Sequence, residues 1–222
     1  CSGAVTNGTC ANGPTGGVLG TQPIVTVQDR FGNLVANATS AVTVALTGTG
    51  GTLTNAVDSS ANAFTVNAVN GYATFSNLVL TAVPLTNYQL NFASTGLTGI
   101  ASGNVRVTHG AATQLIMVHQ PEGSATGSEL AVQPVVRIAD AYGNTVTSDN
   151  ATVISASASS GVVRATISTG VNRTAVNGVV TFTDLIFHGT PQVNYSLNFS
   201  GSSLIGVTSA NFTVTHAGLN KL

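Results

Sequence analysis

The sequence predicts an all-β protein built from two tandem antiparallel β-sandwiches of about seven strands each, and three observations carry that prediction. The chain repeats itself. TQPIVTVQDRFGNLV at 21–35 returns as VQPVVRIADAYGNTV at 132–146, a shift of 111 residues. VNGYATFSNLVL at 69–80 returns as VNGVVTFTDLIF at 176–187, and NYQLNF at 87–92 as NYSLNF at 194–199, both shifted by 107. A repeat of this length has the size of a domain, not of a solenoid unit. Nearly every segment also alternates apolar and polar residues, and no window sustains a helical i, i+3, i+4, i+7 stripe. Gly, Asn and Pro turns punctuate the alternation at short intervals, as in sandwiches.

The repeat divides the chain into modules at 1–109 and 110–222. In the first, Ile24, Val25 and Val27 begin a strand after Pro23, and Val42, Val44 and Leu46 form the next. Phe64, Val66 and Ala68 alternate in a third, and Asn70-Gly71 then leads into 72–75. Asn-Gly between two alternating runs predicts a hairpin with a type I′ turn, whose central residues both need positive φ. Asn177-Gly178 repeats the device. Further strands are expected at 88–92 and 104–108, and again at 195–199 and 211–215.

Asp29, Gly32 and Asn33 recur as Asp140, Gly143 and Asn144 in a D-x-x-G-N block. An aspartate can accept bonds from the backbone two residues on, and Gly and Asn tolerate positive φ, so the block predicts a tight turn. A calcium loop needs six to eight oxygens, usually from several carboxylates, and neither block has a second acid. Phe31 and Tyr142 inside the two turns are expected to plug the ends of their cores. Tyr88 and Tyr195 open equivalent strands, where a buried ring can cap nearby backbone through its hydroxyl. With no tryptophan, the cores must be built from Val, Leu, Ile and Phe.

Composition narrows the function. Only 6% of the 222 residues are charged, the net charge is -1, and Lys221 is the single lysine. With no basic cluster and no acidic run, nothing attracts nucleic acid or an anionic membrane. No stretch reaches the ~18 continuous apolar residues of a membrane helix, so no membrane span is expected. Strands rich in Thr and Val, hydroxylated outside instead of ionic, point to an extracellular or cell-surface protein. Cys1 and Cys10 lie in a Gly- and Asn-rich stretch. A short disulfide loop in an oxidising compartment is the favoured reading. A lipid on Cys1 is the alternative, and it leaves Cys10 unpaired. Seven N-x-S/T sequons, at Asn7, Asn37, Asn150, Asn172, Asn194, Asn198 and Asn211, are possible glycosylation sites. Roughly five would arise by chance in a chain this rich in Asn, Ser and Thr, so they are weak evidence for glycans.

Catalytic chemistry has no visible carrier. His109, His119, His188 and His216 stand apart in the sequence, and the seven acids scatter along turns with no repeated pair. No G-x-S-x-G elbow, zinc spacing or phosphate loop occurs, so neither enzyme activity nor a cofactor or metal is expected. A Lys–Asn isopeptide cross-link is disfavoured because Lys221 sits at the chain end.

Q-P-x-V-x-V-x-D-x-x-G-N near the start, N-G-x-x-T-F-x-x-L in the middle and Y-x-L-x-F before a terminal x-V-T strand resemble bacterial Ig-like repeats of invasin-type and other large surface proteins. The resemblance covers most of both copies. It implies Ig-like sandwiches acting as stalk, spacer or adhesive module, with no catalytic residues.

The copies part company at their ends. Residues 114–118, QLIMV, supply module two with an apolar first strand, while the corresponding 3–7 read GAVTN. Residues 217–222, AGLNKL, align with 110–115, as if a further first strand were beginning. Two expectations follow: a piece of a longer array with a disulfide-stapled cap, or head-to-tail assembly in which the open edge of module one accepts a neighbour's strand. The expected partners are therefore other copies or neighbouring Ig-like domains. Adhesion to a glycan or host-surface ligand is the alternative, and it requires exposed aromatics gathered at one end of a sandwich.

Overall fold

The computed structural model describes residues 13–57, 63–159 and 165–218. The chain divides into two compact units, Cys1–Gly110 and Ala111–Leu222; the described residues of both are all-β, and their strands pair antiparallel, with isolated parallel bridges such as Gln114 to Ile205. Each unit is a β-sandwich around its own core.

Module one contains β1 (Ile24–Thr26), β2 (Ala41–Thr47), β3 (Gly51–Asn55), β4 (Ala63–Asn67), β5 (Tyr72–Thr74), β6 (Leu78–Ala82), β7 (Gln89–Ala93) and β8 (Ile100–Ala101). One layer has the order β4-β2-β7-β8, and the pairs β1-β5 and β3-β6 complete the sandwich. Alternation explains the burial. Val42 and Val44 of β2 face the core, while Thr43 turns outward and bonds Thr65 on β4, Oγ1 to Oγ1, at 2.7 Å. Phe75 and Phe92 meet across the interior with ring centroids 5.4 Å apart.

Module two contains β9 (Gln114–His119), β10 (Ser128–Glu129), β11 (Val135–Ala139), β12 (Val153–Ala158), β13 (Thr166–Ser168), β14 (Asn172–Thr174), β15 (Val179–Thr181), β16 (Ile186–His188), β17 (Asn194–Tyr195), β18 (Leu197–Gly201), β19 (Val207–Thr208) and β20 (Phe212–Thr213). Its layers repeat those of module one: β14-β12-β18-β19 opposes β15-β11-β9, β10-β16-β13 and β17-β20. Phe182 and Phe199 reproduce the interior ring pair at 5.3 Å.

Three features depart from the sequence reading. The run 195–199 is not one strand: Tyr195 pairs with Phe212, whereas Leu197 onward pairs with β12, so the chain changes layer at Ser196. In module one, Tyr88 bridges Val105 while β7 joins β2. The expected last strands, 104–108 and 211–215, shrink to short bridges and the two-residue β20. The Asn-Gly turns do not make ordinary hairpins either. Asn70 (φ 52°) and Gly71 (φ 80°) form a tight turn closed by two bonds between Val69 and Tyr72. Beyond it β4 and β5 diverge into different sheets, because Gly71 O receives Val27 N while Ala68 N bonds Ser40 O. Asn177 (φ 50°) and Gly178 (φ 73°) do the same between β14 and β15.

Where layers change, ladders fail, and side chains replace the missing bonds. Buried Thr15 donates through Oγ1 to Ala82 O (2.8 Å) and accepts from Ala82 N (2.9 Å). Thr126 does so with Gly189, at 2.8 and 3.0 Å. Gln22 bridges both backbone groups of Leu78, as Gln133 does for Leu185. Ser102 and Ser209 receive the amides of Leu90 and Leu197. These stitches recur at the repeat spacing, so they belong to the fold. Thr126→Val keeps the shape but strands the amide and carbonyl of Gly189. The expected loss is about 2–4 kcal/mol, read as a lower urea midpoint at unchanged m-value, with Thr126→Ser close to the parent.

Candidate functional site

The two modules differ most at one sheet edge. In module two β9 runs antiparallel along β11, placing Leu115 opposite Ile138 and Gln114 opposite Ala139. It also bonds the bend after β18. Thr113 N donates to Ala139 O at 2.9 Å, Leu115 N to Ile205 O at 2.9 Å, and Ile205 N to Thr113 O at 2.9 Å. Gln114 Nε2 donates to Asp140 O at 2.8 Å. Leu115 is buried, and Ala112, Met117, Leu204 and Val207 pack against the core.

Module one has no such strand among its described residues. β1 pairs only with β5, and the groups matching Ala139 O and both backbone groups of Ile205 are Gln28 O, Thr98 N and Thr98 O. No described residue bonds any of the three. Between them lies a cleft of about 430 Å³, floored by Val25, Val27, Val42 and Phe92 and rimmed by Leu97 and Ile100. The packing follows. Val136 and Ile138 are 0% exposed, against 8% and 7% for Val25 and Val27. Leu97 and Ile100, matching Leu204 and Val207, are 43% and 44% exposed. The cleft is an edge-strand site with backbone donors and acceptors along its walls and an apolar floor.

The D-x-x-G-N turns flank this edge. Asp29 Oδ1 accepts from Phe31 N (2.8 Å) and Asn33 N (2.9 Å), and Asn33 Nδ2 donates to Oδ2 at 3.0 Å. Asp140 Oδ1 accepts from Tyr142 N and Asn144 N at 2.9 Å each. Gly32 and Gly143 take φ 85° and 81°. The Asn33 side-chain amide, then the backbone amides of Asn33 and Phe31, hold the Asp29 carboxyl below the usual carboxylate range. Asp29 is exposed whereas Asp140 is wholly buried. Burial pushes the Asp149 carboxyl up, but the Thr152 hydroxyl and the amides of Thr152 and Ala151 outweigh it and leave the group below its ordinary value.

Phe31 and Tyr142 do not plug the cores; they are 73% and 55% exposed. The carboxylate fixes the turn backbone with the ring outward, and the Arg30 guanidinium lies 4.4 Å from the Phe31 ring centre. Tyr88 and Tyr195 are buried, and their hydroxyls bond Val83 N and Thr190 N respectively. Among the sequons, Asn37, Asn150, Asn172, Asn194 and Asn211 are exposed, while Asn198 is half-buried and accepts from Thr208 Oγ1 at 2.8 Å. Asn150 Oδ1 is engaged by Asn177 N at 2.8 Å and Asn172 Oδ1 by Ser155 Oγ at 2.6 Å. Asn7, Cys1 and Cys10 lie outside the described residues, as does Lys221.

Of the histidines, His188 Nε2 lies 3.0 Å from Ser168 Oγ on the neighbouring strand, and His109 Nδ1 is 3.0 Å from Gly110 O. Arg173 and Asp184 form the ion pair found among the described residues. Those residues hold no cluster of three or more His, Cys, Asp or Glu side chains able to bind a metal ion, and no helix long and apolar enough to cross a membrane.

No protein-family model and no curated protein matches the chain. Solved structures similar to it include a glycosyl hydrolase family 2 member from Bacteroides cellulosilyticus, at TM-score 0.38 and 9% identity over 82% of this chain and 24% of that one. A β-glycosidase from Bacteroides vulgatus gives 0.35 and 13% over 87% and 24%. Extracellular domains 3–5 of Drosophila OTK give 0.28 and 11% over 96% and 64%. The chain spans about a quarter of the length of the two bacterial proteins. Similarity at these scores carries no argument about function, which rests on the edge itself.

The Asp29 turn predicts an acid response. A carboxyl depressed in the folded state contributes stability that is full above its unfolded pKa, about 3.9. That contribution is lost as pH falls through the lower folded value. Asp29→Asn should therefore flatten the acid limb of the urea midpoint between pH 5 and 2, and a carboxyl NMR titration of the parent should place Asp29 below a free aspartate.

Proposed function

We propose that this chain is a non-catalytic structural protein of the extracellular or cell-surface space, a stalk or filament subunit assembled head to tail by β-strand addition. The observation that carries this reading is the edge of β1: the same edge on β11 is paired along β9, while the module-one counterpart has a cleft with an apolar floor and backbone groups that no described residue bonds. An exposed edge with such groups is a template for another chain. A module that donates at one place and accepts at a different one makes a heterologous contact, which propagates instead of closing. The low charge and the hydroxyl-rich outer faces suit subunits packed side by side, where each unpaired ion would cost desolvation.

A second reading has its own observation. Phe31, Leu34, Val69 and Tyr72 are all exposed, and the 29–35 turn lies against the Asn70-Gly71 turn, where a Cβ on Gly71 would meet Val35 O at 2.6 Å. This gathers apolar and aromatic side chains at one end of module one, as an adhesin or carbohydrate-binding module requires.

Electron microscopy with mass measurement on the purified chain decides between them. The structural reading expects fibres or concentration-dependent oligomers resistant to mild denaturant. Monodisperse 22.2 kDa particles at every concentration would overturn it. Retention on immobilised glycans that Phe31→Ala abolishes would establish the second.

A further inference from the structure

We infer that the strand accepted by module one is residues 217–222 of a second copy of this chain. This rests on the strand-addition reading above and names its donor. The template is β9. In the repeat register, Asn220 takes the place of Thr113, Lys221 that of Gln114 and Leu222 that of Leu115. Thr113 and Leu115 make the three bonds that close the module-two edge. Transferred to module one, Asn220 N donates to Gln28 O, Thr98 N donates to Asn220 O, and Leu222 N donates to Thr98 O. These are the three groups that no described residue bonds.

The side chains agree with the register. Ala112 and Leu115 are the positions at which the start of the first strand packs on the module-two core. The aligned tail carries Leu219 and Leu222 there, so Leu222 faces Val27 on the cleft floor. Gln114 reaches Asp140 O; its counterpart is Lys221, which the register sets beside Asp29, an exposed carboxylate lining the cleft. The only lysine of the chain thus meets an acid held in its ionised form. The matching residues 3–7 of the chain itself are a weaker sequence for the cleft, with Ala4 and Thr6 where β9 carries Leu115 and Met117. The first residues of the donor stand clear of their own module: Ala217 and Gly218 are exposed, and a Cβ built on Gly218 meets nothing within 4 Å.

The test is sedimentation velocity of the full chain over a concentration series, beside three variants and a covalent trap. Deleting 217–222 should weaken association at least about tenfold, since one such hydrogen bond and one buried leucine together exceed 1.4 kcal/mol; Thr98→Pro, which removes the bend amide and leaves the donor carbonyl unpaired, should weaken it about fivefold or more. Thr98→Ala keeps the amide and should associate like the parent, and circular dichroism checks that each variant is folded. Gln28→Cys combined with Lys221→Cys should give a ladder of disulfide-linked multimers on mild oxidation, and neither single variant should. If deleting the tail leaves association intact while Thr98→Pro lowers it, another segment is the donor; the inference then fails and strand addition survives. A chain monomeric at all concentrations, or one whose association ignores both changes, overturns the inference and the reading beneath it. If Thr98→Pro lowers only the stability of a monomer, the chain's own N-terminal residues fill the cleft and the inference is likewise wrong.

Discussion

A backbone amide or carbonyl at the edge of a sandwich must be bonded by another strand or by water, and this requirement organises both modules. In module two the first strand meets it, and much else depends on that pairing. Asp140 is sealed, Ala139 is covered, and Leu204 and Val207 are drawn onto the core. Leaving a buried polar group unpaired costs about 1–3 kcal/mol. In module one no described residue pairs that edge, and Gln28, Asp29 and Ile100 are exposed, where water can meet the requirement. The edge is short, and Asp29 and Arg30 put charge at its end, but Ile24, Thr26 and Gln28 along it are uncharged, and neither a proline nor a lysine interrupts them.

The same account explains what could be read from the sequence. The sandwich class was legible because alternation and positive-φ turns are local: Asn70-Gly71 and the Asp29 block need only their own neighbours to take shape. The change of layer at Ser196 was not. Tyr195 and Leu197 have ordinary strand chemistry, and only their partners, Phe212 and Ala158, reveal that they serve different sheets. The stitches of Thr15, Gln22 and Ser102 were hidden for a related reason. A buried threonine looks like any strand threonine until the backbone it must satisfy, 67 residues away at Ala82, is known. The outward rings of Phe31 and Tyr142 show the opposite error, in which composition suggested a core and a fixed turn backbone aimed the side chain elsewhere. The module-one edge lay between these cases. The weak GAVTN segment was visible, but the cleft at its counterpart position was not.

The outer faces bear on how such modules could touch. Cross-strand pairs there are Thr43 with Thr65, Ser155 with Asn172 and Thr208 with Asn198. Each pair satisfies its own polar groups within the sheet, so the face is solvated without charge and loses little when another face covers it. Contact between copies is then limited by shape and edge pairing, with little dependence on salt. The proposed pairing of Lys221 with Asp29 would be the exception, an ionic element that sets register more than it adds affinity.

On the proposed assembly, exchange between a subunit's own N-terminal segment and a neighbour's tail would be a contest between tethering and fit. The tethered segment acts at an effective concentration on the order of millimolar, so a free donor at micromolar concentration starts about 4 kcal/mol behind. Replacing a leucine by alanine at a packed position costs about 2–5 kcal/mol, and residues 3–7 would carry that handicap at the Leu115 position through Ala4. Thr6 adds a hydroxyl where Met117 packs against the core. The two terms are of similar size, so the balance turns on concentration and on neighbouring contacts. A secreted subunit would then remain single while dilute and join where copies accumulate. A stronger first strand in module one would remove that control, because a self-completed edge has nothing left to accept.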